Sequence, residues 1–161
     1  PPASARGSAR TLGLTQSKSV VLGSCLCGSV TFEVAVDGLR LYRCHCSLCR
    51  KQSGTASNCA AIVEANHFRW LAGSEHVVAW KKSTGYNTAF CSRCGSPTPR
   101  PLLARHAYWV PAGLLEDTVP TQVVADFFLN SKASWDNLPM AELRSQEFPS
   151  VEEFFALMHP Q

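Results

Sequence analysis

Seven of the eight cysteines in this 161-residue chain fall into three short clusters, and no other feature limits the fold so strongly. The clusters are Cys25-Leu26-Cys27-Gly28, Cys44-His45-Cys46-Ser47-Leu48-Cys49 and Cys91-Ser92-Arg93-Cys94-Gly95, with Cys59 standing apart. Cysteines two apart on an extended strand have Cα atoms about 6.5 Å apart, at the limit of what a disulfide spans. Tetrahedral zinc suits the pattern better, because paired thiolates from distant segments converging on one ion are its usual signature. Cys25/Cys27 and Cys91/Cys94 share a glycine directly after the second cysteine. Glycine there takes positive φ and turns backbone amides toward the sulfurs. These two half-sites together make one closed four-cysteine site of the structural type.

The middle cluster then holds three cysteines and keeps one coordination position open, as catalytic zinc sites do. Arg50 and Lys51 follow directly, and cations beside thiols favour the thiolate. Two other readings stand beside this one. The middle cluster is also consistent with a second structural site completed by Cys59 or His45, or with an iron–sulfur cluster lacking an evident fourth thiolate. Against the first, Cys59 opens an apolar run, residues 59–63, that reads as a core strand, where free cysteine behaves as a small hydrophobe. His45 sits between two ligands and, in an extended segment, faces the other way.

The remainder of the chain has the texture of short strands. Val30, Phe32, Val34 and Val36 alternate with Thr31, Glu33 and Ala35, a period of two. Short apolar or alternating stretches recur at 59–63, 67–71, 77–80, 86–90, 108–110 and 122–129. Turn pairs such as Asp37-Gly38, Ala72-Gly73 and Thr84-Gly85 separate them. The expectation is one all-β domain of short antiparallel strands over residues 20–161. A single helix is expected at the C-terminus, where Ser150-Val151-Glu152-Glu153 fits a capping box ahead of Phe154, Phe155, Leu157 and Met158.

The formal charge of +3 points to no acidic partner once it is located. Arg6, Arg10 and Lys18 lie in an acid-free stretch, leaving twelve basic residues against twelve acidic ones in the body. That stretch, residues 1–19, has the Ser/Ala/Gly composition of a flexible arm and no apolar signal core. A neutral body argues against nucleic acid as partner. No run approaches the ~18 apolar residues of a membrane span. Reduced cysteines without a signal peptide place the expectation in the cytoplasm. Monomer and homodimer are both compatible with the sequence.

Three motifs resemble the glutathione-dependent formaldehyde-activating enzyme family: Gly23-Ser24-Cys25-Leu26-Cys27-Gly28-Ser29-Val30-Thr31-Phe32, Cys44-His45-Cys46-Ser47-Leu48-Cys49-Arg50-Lys51-Gln52-Ser53-Gly54 and Phe90-Cys91-Ser92-Arg93-Cys94-Gly95-Ser96. Pro111-Ala112-Gly113-Leu114 resembles the family's later strand-turn segment, so the match spans about residues 20–138. The resemblance implies a small zinc-stabilised β-tent domain. It implies a structural zinc at Cys25, Cys27, Cys91 and Cys94, and a reactive zinc at Cys44, Cys46 and Cys49. The chain departs from the family after the third motif, where Ser96-Pro97-Thr98-Pro99-Arg100-Pro101 is rich in proline.

The charges at these metals narrow the chemistry. Zinc with four thiolates carries −2 and with three carries −1, so both together cancel the formal +3. Three thiolates also make zinc a weak Lewis acid that activates water poorly. A bound substrate thiolate suits it better. The expected activity is that of a carbon–sulfur lyase, joining glutathione or a similar small thiol to formaldehyde as S-(hydroxymethyl)glutathione, or releasing it. His45 is the candidate proton donor, with an unperturbed pKa near 6.5, although its ring equally suits a purely geometric role. Arg50 and Lys51 are the candidate carboxylate-binding residues, or simple electrostatic support for the thiolates. The other function class is a zinc-stabilised binding module without catalysis, which a fourth protein ligand on the second zinc would favour.

Overall fold

A computed structural model describes residues 18–137 and 143–159. Residues 1–17 of the expected arm lie outside that range, and the first strand opens directly after it. That strand, β1 (Ser19–Ser24), pairs antiparallel with β2 (Thr31–Val36), which pairs with β5 (Phe68–Ala72) in a three-stranded sheet. The alternation read from residues 30–36 is the cause. Phe32 and Val34 are fully buried, while Thr31, Glu33 and Ala35 stand on the other face.

A six-stranded sheet forms the rest of the frame, in the order β11 (Leu143–Arg144), β10 (Thr121–Phe127), β3 (Leu39–Cys44), β4 (Asn58–Glu64), β9 (Ala107–Pro111) and β8 (Arg100–Leu102). The protein is mostly β-sheet, as expected. The pairing is not purely antiparallel, because β10 runs parallel to both β3 and β11. A parallel neighbour needs a long crossover, and the chain from β3 to β10 supplies it. β6 (Val77–Lys81) and β7 (Asn87–Cys91) form a separate two-stranded hairpin.

Two helices complete the frame. α2 (Val151–Met158) is the expected one, and its capping box is present in full: Ser150 Oγ accepts from the Glu153 amide and the Glu153 carboxylate accepts from the Ser150 amide. α1 (Ser47–Ser53) corrects the expectation of a single helix. Its seven residues carry no apolar stripe and bury no side chain fully, so hydropathy gives no signal for it. Cys46 caps its start, with Sγ accepting from the Cys49 amide at 3.4 Å, and Gly54 ends it at φ 70°. No helix is long and apolar enough to cross a membrane among the described residues.

The core lies on both faces of the six-stranded sheet. Val21, Phe32, Val34, Leu41, Ala61, Val63, Phe68 and Val110 fill the space between the two larger sheets. On the opposite face, Ile62, Trp109, Val124 and Phe127 pack against Phe154 and Met158 of α2. A small third cluster joins Val30 to the buried cysteines Cys25 and Cys91.

Candidate metal centres

The sulfurs of Cys25, Cys27, Cys91 and Cys94 lie within 4.8 Å of one another, and none is in a disulfide. Cys25 and Cys27 stand in the turn between β1 and β2, while Cys91 ends β7 and Cys94 stands in the turn after it. Four sulfurs each 2.3 Å from one zinc are separated by about 3.8 Å. The observed 3.5 Å between Cys25 and Cys27 and 3.9 Å between Cys27 and Cys91 match that spacing. Gly28 at φ 72° and Gly95 at φ 74° take the expected positive φ, but their own amides donate to the carbonyls of Cys25 and Cys91 and not to sulfur. The Val30 amide donates to the Cys25 sulfur at 3.3 Å.

Each glycine is followed by a serine, a repeat the sequence reading passed over. Hydrogen bonding from Ser29 holds the Cys27 thiol below its ordinary value. Hydrogen bonding from Ser96 brings Cys94 down to about 6. Ser96 Oγ also accepts from the Leu26 amide at 2.9 Å, tying the two half-sites together. The donor set suits zinc: four soft sulfurs at tetrahedral spacing, two of them biased toward thiolate.

The second cluster is positioned by a change of direction in the chain. Cys44 is the last residue of β3, Cys46 caps α1 and Cys49 lies in its first turn, so strand, cap and helix each aim one sulfur inward. The three sulfurs lie within 4.8 Å of one another, and among the described residues no fourth histidine, cysteine or carboxylate joins them. Hydrogen bonding to Cys44 holds Cys49 down to about 6, and the same bond, with burial, pushes Cys44 up. Cys59 is not in the cluster. It packs against the inter-sheet core, and burial raises its thiol.

His45 is the main correction. Its ring is fully buried, with Nε2 3.1 Å from Asp126 Oδ1 and Nδ1 3.0 Å from Asp136 Oδ2, the latter out of line for a hydrogen bond. Asp126 in turn receives Arg43 through two bonds, at 2.6 and 2.9 Å. His45 therefore faces away from the open side of the cluster and pins the ligand-bearing segment, while its amide bonds the Phe127 carbonyl at 2.9 Å. Arg50 also turns back, its Nε donating to the His45 carbonyl at 3.2 Å. Lys51 does face a groove.

Above Cys44 and Cys49 lies a cavity of about 110 Å³. Tyr42, Gln52, Asn58, Tyr86, Arg100 and Trp109 contribute to its wall. Tyr86 Oη donates to Cys49 Sγ at 3.9 Å; burial, then the nearby Cys49 charge, push its phenol well up, so it keeps its proton. The Arg100 guanidinium lies 5.0 Å above the Trp109 ring. A wider groove of about 460 Å³ adjoins, sharing Gln52, Tyr86 and Thr88 with the cavity and carrying Lys51, Lys82 and Trp80. Tyr86 and Arg100 flank the third cysteine motif, five residues before Cys91 and six after Cys94, but neither is a residue type that marks a zinc site, so spacing gives no signal for them.

Residues 20–131 match the profile described as GFA: Glutathione-dependent formaldehyde-activating enzyme. The chain belongs to this family. A curated family relative, a Halomonas elongata protein named "Putative glutathione-dependent formaldehyde-activating enzyme", is 32% identical over 80 residues, 46% of this chain. The match spans about half of that relative, 51% of its length. A crystal structure of a Rhodobacter sphaeroides protein superposes with a TM-score of 0.48 at 27% identity, covering 62% of this chain and 98% of that one. Within the family frame, both cysteine clusters are suited to metal, and the second is the one left open.

Proposed function

We propose that this protein is a zinc-dependent carbon–sulfur lyase that joins a glutathione-type thiol to formaldehyde or releases it. The observation that carries the reading is the three-thiol cluster, which has no fourth protein donor among the described residues and of which Cys44 and Cys49 line an open cavity. Cys44, Cys46 and Cys49 would hold the reactive zinc, which when bound supplies a position where a substrate sulfur is kept as thiolate. Cys25, Cys27, Cys91 and Cys94 would hold the structural one.

The chain's own groups supply the rest. In the forward direction a carbon–sulfur bond forms, the carbonyl π-bond becomes an alkoxide, and the proton lost by the thiol returns to that oxygen. Tyr86 carries a protonated hydroxyl beside Cys49; in place of His45 it would give its own proton to the alkoxide and be reprotonated by the one the thiol loses. Lys51 and Lys82 flank the adjoining groove, where the carboxylates of an acidic peptide would find them. Arg50 takes no part in that groove, because it is engaged with the His45 carbonyl.

The test is exchange spectroscopy by NMR on glutathione and formaldehyde. Protein loaded with two zinc ions should accelerate interconversion of free and hydroxymethylated glutathione. Cys49→Ser, retaining the four-cysteine zinc, should not. Absence of acceleration by the fully loaded wild type would leave a zinc-stabilised binding module.

A further inference from the structure

The proline-rich segment that departs from the family motif delivers Arg100 to the cavity wall. Pro99 and Pro101 fix the backbone on either side, and Arg100 pairs in register with Trp109 across β8 and β9. Trp109 is itself held, its Nε1 donating to Tyr42 Oη at 2.8 Å. The guanidinium is thus held over the Trp109 ring, and Arg100 lines the same small cavity as Cys44 and Cys49. Among the described residues no carboxylate lies within ion-pair distance of it, whereas Arg43 and Arg69 both have one. A half-buried arginine without an acidic partner on the cavity wall offers a planar fork of donors, which matches a carboxylate.

We propose that Arg100 makes this a site for compact thiols bearing a carboxylate, with the sulfur at the three-cysteine cluster and the carboxylate on the guanidinium. The inference rests on the proposed function, since it takes the cluster as the place where substrate sulfur binds. It deepens that reading by naming the substrate class. At about 110 Å³ the cavity holds a sulfur, a short carbon spacer and a carboxylate, not a tripeptide. A peptide thiol would leave its remainder in the groove by Lys51, Lys82 and Trp80. Arg100 therefore reads charge close to the sulfur, and the groove lysines read charge further away. The alternative role, neutralising the cluster's thiolates, predicts no preference between matched charged and neutral thiols.

The test uses protein loaded with cobalt, whose sulfur charge-transfer absorption reports a new thiolate ligand without any turnover. 3-Mercaptopropionate and 3-mercaptopropionamide share one carbon skeleton, and the amide lacks the charge. The wild type should bind the carboxylate at least about tenfold more tightly, the worth of one charge-assisted hydrogen-bonded pair. Arg100→Gln should bring the ratio near one with cobalt content unchanged, and Arg100→Lys should keep part of it. Equal affinities in the wild type, or a preference that survives in cobalt-replete Arg100→Gln, would overturn the inference and leave the thiol site standing. No spectral response to either thiol would remove the thiol site itself, and the inference with it. The wild-type comparison needs no variant, so misfolding of Arg100→Gln cannot obscure the outcome.

Discussion

At the scale of single residues, the cysteines divide by what surrounds each sulfur. Cys49 has two other thiols within 4.8 Å, whereas Cys59 has the inter-sheet core. Cys49→Ser should therefore empty the second site and keep the fold, leaving one zinc per chain by elemental analysis. Cys59→Ala should keep two zinc ions and cost about 1 kcal/mol, as a small core truncation does; loss of metal from it would close the second site and remove the main support for catalysis. Behind the ligands, the buried Asp126 carboxylate is shared by Arg43 and His45. Replacing it by alanine leaves Arg43 and His45 facing a void, a loss of about 3 kcal/mol for breaking a buried pair. Asp126→Ala should accordingly lower the denaturation midpoint and loosen metal at Cys44, Cys46 and Cys49, while the distant four-cysteine site retains its zinc.

At the scale of elements, the cavity depends on a helix that never touches the metal clusters. Phe154 of α2 packs edge-on against Tyr42 and Phe127, with ring centroids 5.1 and 5.4 Å away, and both partners line the cavity. The Ser150 cap starts that helix, and Ser150→Ala should cost about 1 kcal/mol of stability. The capping box also carries a pH signature. Hydrogen bonds from Ser150 hold the Glu153 carboxyl below its ordinary 4.5. A depressed folded-state value means the contribution is complete above the ordinary value and is lost as pH falls through the lower one. The wild-type melting temperature should thus drop below about pH 4.5, and the Ser150→Ala curve should be flatter over that acid range. Parallel curves for the two proteins would mean the box contributes nothing in solution.

At the scale of the whole molecule, the four-cysteine cluster takes the place of sheet. The β6–β7 hairpin has no ladder to either larger sheet, and a lone hairpin is marginal in water. The four-cysteine cluster bonds its far end to the turn between β1 and β2, closing a loop of more than sixty residues. That hairpin also brings Thr88 to the cavity, and the turn before β7 brings Tyr86. Chelation should proceed in two steps. The open three-cysteine site should give up its metal first without change in far-ultraviolet circular dichroism. The closed site should follow, and hydrogen exchange should then rise in residues 77–91 before the six-stranded sheet opens. A single release step, or exchange rising first in the large sheet, would contradict this division of labour.

The sequence alone determined the grouping of the cysteines and the strand pattern, because both are written in local spacing. Paired cysteines followed by glycine, and apolar residues at a period of two, mean the same thing in almost any tertiary setting. The capping box at Ser150 is equally local. What the tertiary structure decided was which groups share a cavity. α1 was hidden because a seven-residue helix stabilised by a cysteine cap and metal ligands needs no apolar stripe. His45 looked available beside two ligands, yet the parallel return of β10 buries it against Asp126, a partner eighty-one positions away. Tyr86 and Arg100 flank the third cysteine motif in the chain, yet they share a cavity with Cys44 and Cys49 of the second only because a hairpin and an edge strand bring them there. Ligand identity follows from spacing along the chain, whereas the surroundings of an open coordination position are made by contacts between distant segments, which no local pattern records.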